Sequence, residues 1–448
     1  MNTHSRYEIR LSDHFTYGRL LRYTFPSIIM MVFTSIYGVV DGYFVSNFAG
    51  KTQFTAVNFI MPFIMILGCV GFMFGTGGSA LIAMTMGQGN KKRALEQFSM
   101  LIYTSLVIGA ALSVFGQLTL PAVGRLLGGS GEMLEYAIKY ARICLIATPA
   151  FILQYEFQAL FSTAEKPKLG LWITVAAGIT NMVLDALFVG VFDWGCEGAA
   201  AATSLSQFVG GIVPVFYFAH KNTSRLRLVK ARFNAHDFLR ICSNGVSELM
   251  NNIAMSIVNM LYNRQLIRYV GQDGIAAYGV LMYINLVFLA IFIGYSMGTA
   301  PVVSYHYGAG TEGELHSLLT KSLRIIAVSA AAMFFAAHLL AGPLSKIFVG
   351  YDPRLFDLTR RAFFFYAFTF LFAGFSIYGS SFFTALNNGL ISALISFLRV
   401  AVFQVSMVLV LPLMLGVDGI WGSIPIADLL SAAVTAMFLV RKRKKYGY

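Results

Sequence analysis

From Tyr23 onward the chain alternates long apolar stretches with short polar breaks. Stretches of about 20 residues suffice for a helix to cross a hydrocarbon core of about 30 Å. Twelve can be counted, at about 18–46, 55–86, 95–118, 133–161, 170–192, 197–219, 238–267, 275–306, 317–340, 354–384, 391–414 and 419–440. Lipid offers backbone groups no hydrogen-bond partners, and none of these stretches shows the strict alternation of a barrel strand, so helices are predicted. Composition agrees: 57% of the 448 residues are hydrophobic and 12% charged, against about 25% charged in soluble domains. The expectation is an all-α integral membrane protein of twelve transmembrane helices.

The longest polar break, HKNTSRLRLVKARFNAHD at 220–237, separates six stretches from six. It predicts an N-terminal lobe at 1–219, a cytoplasmic linker at 220–237, and a C-terminal lobe with a basic tail at 238–448. Landmarks recur at one constant spacing of 221: Gly50 with Gly271, Gly87 and Gly89 with Gly308 and Gly310, Thr163-Ala164 with Thr384-Ala385, Gly195 and Gly198 with Gly416 and Gly419. An internal duplication of six helices gives two pseudo-symmetric bundles, parallel repeats that enter the membrane in the same direction, a plan suited to alternating access.

The net charge of +13 follows the bilayer rather than a nucleic acid. With the N-terminus inside, inner breaks and ends hold nineteen Lys and Arg, including Arg6, the Lys91-Lys92-Arg93 run and the tail RKRKK, while outer breaks hold five, among them Lys51. This positive-inside pattern puts both termini in the cytoplasm. No cleavable signal peptide is expected, because the first apolar stretch is too long and no small-residue cleavage site follows. The four cysteines are scattered without metal-ligand spacing. The loop GQGNKKRA lacks a P-loop's spacing and reads as a helix stop and turn.

Against this background two acids stand out. Asp41, in SIYGVVDGYFVSN, and Asp185, in TNMVLDALFVGVF, lie inside the first and fifth stretches, where a charge costs roughly 2.5–3.5 kcal/mol on insertion scales. Helical spacing puts Tyr37 beside Asp41 and Asn181 beside Asp185. Counting residues from the outer ends brings both acids and Thr203, of GAAAATSLSQ, to about 8–10 Å below the outer boundary. The residues 221 positions on are Tyr262, Val402, Ser406 and Ile424 for Asp41, Asn181, Asp185 and Thr203. A requirement of the bundle itself should be copied in both halves, and these groups are not. Close carboxylates in a low-dielectric pocket titrate as a pair and can take up a proton or a small cation. Sodium would suit the oxygens of Asp41, Asn181, Asp185 and Thr203.

Elsewhere, Glu248 either faces a cavity, where it and Asn181 would meet cationic substrate, or sits near the inner surface beside Arg240. Asp428 is expected to pack or hydrogen-bond, and Arg399 to snorkel toward the cytoplasm. The aromatic run RRAFFFYAFTFLFAGF is explained by core packing and lipid contact, with a drug-stacking wall as the alternative.

The stretches VVDGYFVSNFAG, FTAVNFIMPF, FGTGGSALIAMTMGQGNKKRA, TNMVLDALFVGVF, GCEGAAAATSLSQ and GTAPVVSYHYGAG together resemble the multidrug and toxic compound extrusion (MATE) transporters, in particular their DinF-like and MepA-like bacterial branch. The resemblance covers nearly the whole chain. It implies a V-shaped pair of six-helix lobes in the bacterial plasma membrane, acting as a monomer without a cofactor and exporting amphipathic, often cationic drugs in exchange for protons or sodium. It carries the coupling role onto Tyr37, Asp41, Asn181, Asp185 and Thr203, and a conformational role onto Pro26. Ala186 and Ser247 stand where many relatives have proline, which puts borrowed details of helix bending in doubt. A flippase for lipid-linked precursors is the alternative within the superfamily. A membrane-embedded enzyme is disfavoured, since the chain has no HExxH or GxSxG.

Overall fold

Side-chain caps start several of the helices that the apolar pattern predicts. The Thr16 hydroxyl accepts the Arg19 amide at the head of α1 (Tyr17–Phe48), and Asn90, Asn234, Asp352 and Asn388 cap later helices in the same way, supplying acceptors for amides that have no partner within the helix. The computed structural model describes residues 9–350 and 352–448. Arg6 and the side chain of Lys51, both counted above, lie outside the described residues.

In the N-terminal half α1 is followed by α2 (Lys51–Gly68), α3 (Val70–Gly87), α4 (Lys91–Leu126), α5 (Gly131–Ile146), α6 (Thr148–Thr163), α7 (Pro167–Asp185) and α8 (Gly195–Ala219). The C-terminal half holds α9 (Ala235–Tyr269), α10 (Gln272–Gly308), α11 (Glu312–Val349), α12 (Pro353–Tyr366), α13 (Thr369–Ala385), α14 (Gly389–Phe397), α15 (Val405–Leu415) and α16 (Val417–Tyr446). Several stretches predicted as single helices are broken. α2 and α3 share one span interrupted at Cys69, α5 and α6 bend by 60° at Ala147, and α12 and α13 bend by 45°. π-helical turns at Ala186–Val191 and Leu398–Gln404 extend α7 and join α14 to α15. The helix therefore changes its winding directly after Asp185, at Ala186, without a proline.

Among the described residues nine helices are long and apolar enough to cross a membrane, and the two bent pairs raise the number to eleven. The twelfth span is α9, which fails that test because it carries Glu248, Asn251, Asn252, Asn259, Asn263 and Arg264 in its middle and far half. Its polarity has a structural cause, since Glu248, Asn251 and Asn252 face a cavity between the halves rather than lipid.

The duplication is written into the backbone. Gly50 and Gly271 both take φ near 85°, and Gly89 with Gly310 and Gly195 with Gly416 are likewise left-handed pairs, a conformation that side chains disfavour. The halves meet where α1 packs on α10 and α3 packs on both α9 and α10. A β-carbon on Gly87 would overlap the Tyr305 carbonyl of α10, and one on Gly308 would overlap the Met84 carbonyl of α3, so the seam repeats the same approach from either side. Toward the opposite end the halves part. A long hydrogen bond from the Ser35 hydroxyl to the Leu286 carbonyl, 3.5 Å, joins α1 to α10 near this point. Beyond it Ile36, Tyr43 and Tyr283 are exposed, and Gly38, Gly42 and Gly279 have no neighbour against them. The result is a V that opens away from the linker.

The polar linker is laid along α4. Its Val229 amide donates to the Ser99 hydroxyl, Leu226 is fully buried, and Arg225 pairs with Glu165 at 3.0 Å. Its last three residues already belong to α9. There Asp237 accepts hydrogen bonds from Gln97 and Arg93 at 3.0 Å each. Burial opposes ionisation of Asp237, but these partners outweigh it and hold its carboxyl below the usual range.

Candidate functional site

α1 and α7 each bring one acid to the same depth. Asp41 lies seven residues before the end of α1, and Asp185 closes α7 with six π-helical residues still to run. At 1.5 Å per residue both are about 10 Å from their helix ends. The predicted convergence is present. The Asp41 carboxyl lies near the side chains of Asp185, Asn181 and Thr203, without a hydrogen bond to any of them, and the Asn181 amide donates to the Thr203 hydroxyl over 3.4 Å. Tyr37 stands one turn before Asp41, beside Gln154 of α6. Tyr37, Asp41, Asn181, Thr203 and Gln154 line a cavity of about 220 Å³, with Asp185 fully buried behind it.

Several acceptors at the cavity are left without a hydrogen bond. Asp41 Oδ1, both Asp185 carboxyl oxygens and Asn181 Oδ1 are buried without a hydrogen-bond partner. Leaving one buried acceptor unmatched costs about 1–3 kcal/mol, and more when it is charged. A shared proton or a small hard cation meets that deficit, because either supplies positive charge to several oxygens at once. Two carboxylates, an amide oxygen and a hydroxyl suit sodium as well as a proton. Among the described residues no three Asp, Glu, His or Cys side chains gather as a metal cluster, so the site depends on neutral oxygens for the rest of its shell.

The sequence reading passed over Gln154, which lines the same cavity and is buried. The signal was Gln154 in the run TPAFILQYEFQ, which also holds Glu156 and Gln158. Tyr140 and Cys144 of α5 close another wall.

Pro26 sits in α1, which runs unbroken past it. It lies fifteen residues from Asp41, about 22 Å along the axis, and its ring lines a groove with Tyr23, Glu165 and Pro167. Asn181, also expected at the substrate cavity, belongs to the Asp41 cavity and does not line the space between the halves. Glu248 does line that interlobe space and is not beside Arg240, whose guanidinium instead reaches the Met84 sulfur. Arg399 does not snorkel. It is 9% exposed, and its Nε donates to Asp428 at 2.9 Å, because a buried partner compensates the charge where it stands. Asp428 is thus a hydrogen-bonding group, as expected. The aromatic run of α12 and α13 packs inward at Phe363, Tyr366 and Phe370. None of its rings lines the interlobe cavity, and Phe364 and Phe368 are exposed on the outside, so core packing and lipid contact account for it.

Two six-helix repeats, a cleft between them and an acidic pocket inside one define a multi-pass membrane transporter of duplicated plan. The family profile for MatE matches residues 26–187 and again 249–410, and the chain belongs to that family. The multidrug export protein MepA of Staphylococcus saprophyticus subsp. saprophyticus is 23% identical over 434 residues, covering 95% of this chain and 94% of the relative. MepA of Staphylococcus haemolyticus is 24% identical over 343 residues, 75% of this chain and 74% of its own. A multidrug resistance MATE family transporter of the MOP superfamily, solved in an outward-facing conformation, shares the fold with a TM-score of 0.90 at 22% identity, over 96% of this chain and 98% of that one. The relatives are named as export proteins, and the chain is a transporter rather than an enzyme.

Proposed function

We propose that the protein is a secondary active exporter of amphipathic, often cationic drugs, driven by protons or sodium and alternating between outward and inward access. The observation that carries this reading is the meeting of Asp41, Asp185, Asn181 and Thr203 around oxygens that lack partners. A cation arriving from outside neutralises the pair. Its release on the other side restores the repulsion.

α1 connects that event to the seam. Asp41 lies on its outer half, while Thr24, Ser27 and Ile28 on its other half receive Gly294 and Gly298 of α10, so a shift of α1 that follows cation occupancy acts on the contact between halves. In this reading 1–219 and 238–448 move as lobes joined by 220–237, and Pro26 is where α1 yields, since it lacks one helix hydrogen bond. The basic breaks and tail place the linker face in the cytoplasm of a bacterial cell. The export activity named for the MepA relatives supports drugs as substrates, and a single chain holds every part described.

Proteoliposomes loaded with a cationic dye test the reading. A proton gradient alone or a sodium gradient alone should drive dye movement, and movement under neither would refute ion coupling.

A further inference from the structure

The cavity between the halves holds both signs of charge. It encloses about 160 Å³ and is lined from the C-terminal half by Glu248 of α9 and by Arg399 in the π-helical turn. The Glu248 carboxyl makes no hydrogen bond or ion pair with any described residue, while lying close enough to Arg399 to feel its charge. Arg399 is anchored from behind. Its Nε is held by Asp428 Oδ1 at 2.9 Å, and Gln404 donates to the same oxygen at 3.3 Å. The Nη groups make no further hydrogen bond among the described residues, so the free end of the guanidinium is left to the cavity. Ser296 and Ser376, 3% and 1% exposed, line the same space with hydroxyls that have no partner.

We infer that this cavity recognises the zwitterionic end of a substrate, with its ammonium against Glu248 and its carboxylate against the outer edge of Arg399. An arginine kept inside a membrane span only for packing needs just its neutralising acid, and Asp428 already supplies that. The Nη edge presented beside an unpaired glutamate is the planar fork that binds a carboxylate. The two hydroxyls complete a polar lining that a purely apolar cation would leave unmatched. Drug-sized pockets run to about 300–1,000 Å³, so this cavity admits a charged head group and leaves the apolar remainder of the molecule in the cleft. The inference rests on the exporter reading above and narrows its substrate class.

The test is equilibrium binding to the purified full chain in detergent, read by fluorescence titration. The probes are Nε-dansyl-lysine, whose α-ammonium and α-carboxylate share one carbon, and its methyl ester, which keeps only the ammonium. The zwitterion should bind roughly tenfold tighter than the ester, as expected for a charge-assisted pair. Arg399→Gln combined with Asp428→Asn removes both charges of the anchored pair and should bring that ratio to about one. Glu248→Gln should weaken both probes and leave their ratio standing. If the double variant melts out of its fold, Arg399→Lys, which keeps the charge and loses the fork, must lower the ratio by itself. Equal affinities in the native protein, or a ratio that survives loss of Arg399, overturn the inference. Dye efflux from proteoliposomes separates the two readings: efflux with a flat ratio defeats only the zwitterion subsite, and a steep ratio without gradient-driven efflux defeats the exporter.

Discussion

Asp41 and Tyr262 occupy equivalent places in the two halves and do opposite things. Around Asp41, four carboxyl and amide oxygens are buried without partners beside a cavity. At the matching place Tyr262 is fully buried, stacks on Tyr278 with ring centroids 4.5 Å apart, and donates its hydroxyl to the Ile420 carbonyl at 2.9 Å. Nearby, Gln265 donates to the Val408 carbonyl at 3.1 Å. The duplicated scaffold can thus close this space with a ring and a satisfied hydroxyl, and one half does so. Single polar groups lack partners there too, Trp421 Nε1 and Asn263 Oδ1 among them, whereas the open half gathers four unmatched acceptors around one pair of acids, and that concentration is what the proposed coupling role explains.

The largest effect that this contrast predicts is at Asp41. Asp41→Asn should reduce gradient-driven dye efflux to the level of empty liposomes while the protein still reaches the membrane, as blotting of membrane fractions would show. Retained efflux would break the contrast. The converse change, Tyr262→Asp, should create no second coupling site, since Val402 and Ile424 cannot replace Asn181 and Thr203. It should also destabilise the fold by several kcal/mol, because a buried carboxyl replaces a packed ring and frees the Ile420 carbonyl. A gain of ion coupling that persists when Asp41→Asn is added would contradict this account. Asn181→Ala removes one neutral oxygen and should raise the coupling-ion concentration that half-saturates transport by about tenfold, measured as efflux against ion concentration. The smallest effect belongs to Tyr262→Phe, which loses one hydrogen bond and should cost about 1 kcal/mol in denaturant titration without changing efflux.

Among the described residues eleven of the twelve spans can be read from apolar length alone, because a bilayer's thickness sets the number of residues that must be nonpolar, while α9 is too polar to pass that test. The breaks inside them were harder to read. Over 133–161 Pro149, in the first turn of α6, marks a place where a helix can break, but the 60° angle at Ala147 depends on what packs against each side. The acid pair was legible because spacing and depth follow from helix geometry, whereas nothing in the sequence set Gln154 apart from Glu156 and Gln158 of the same helix, and only its place beside Tyr37 gives it meaning. Arg399 was misplaced for a related reason. Sequence distance from the helix end favoured snorkelling, but Asp428 is 29 residues away along the chain and becomes its partner only after folding.

By itself the sequence determined the membrane setting, the count of spans, the repeat and the acids that stand out from it, since each depends on hydropathy and on distance along one chain. Tertiary structure decided which oxygens lack partners, where α9 turns its polar face, and that Glu248 and Arg399 share a cavity. Those outcomes depend on which helices become neighbours, and the burial of a charge has a cost or a use only once its neighbours are in place.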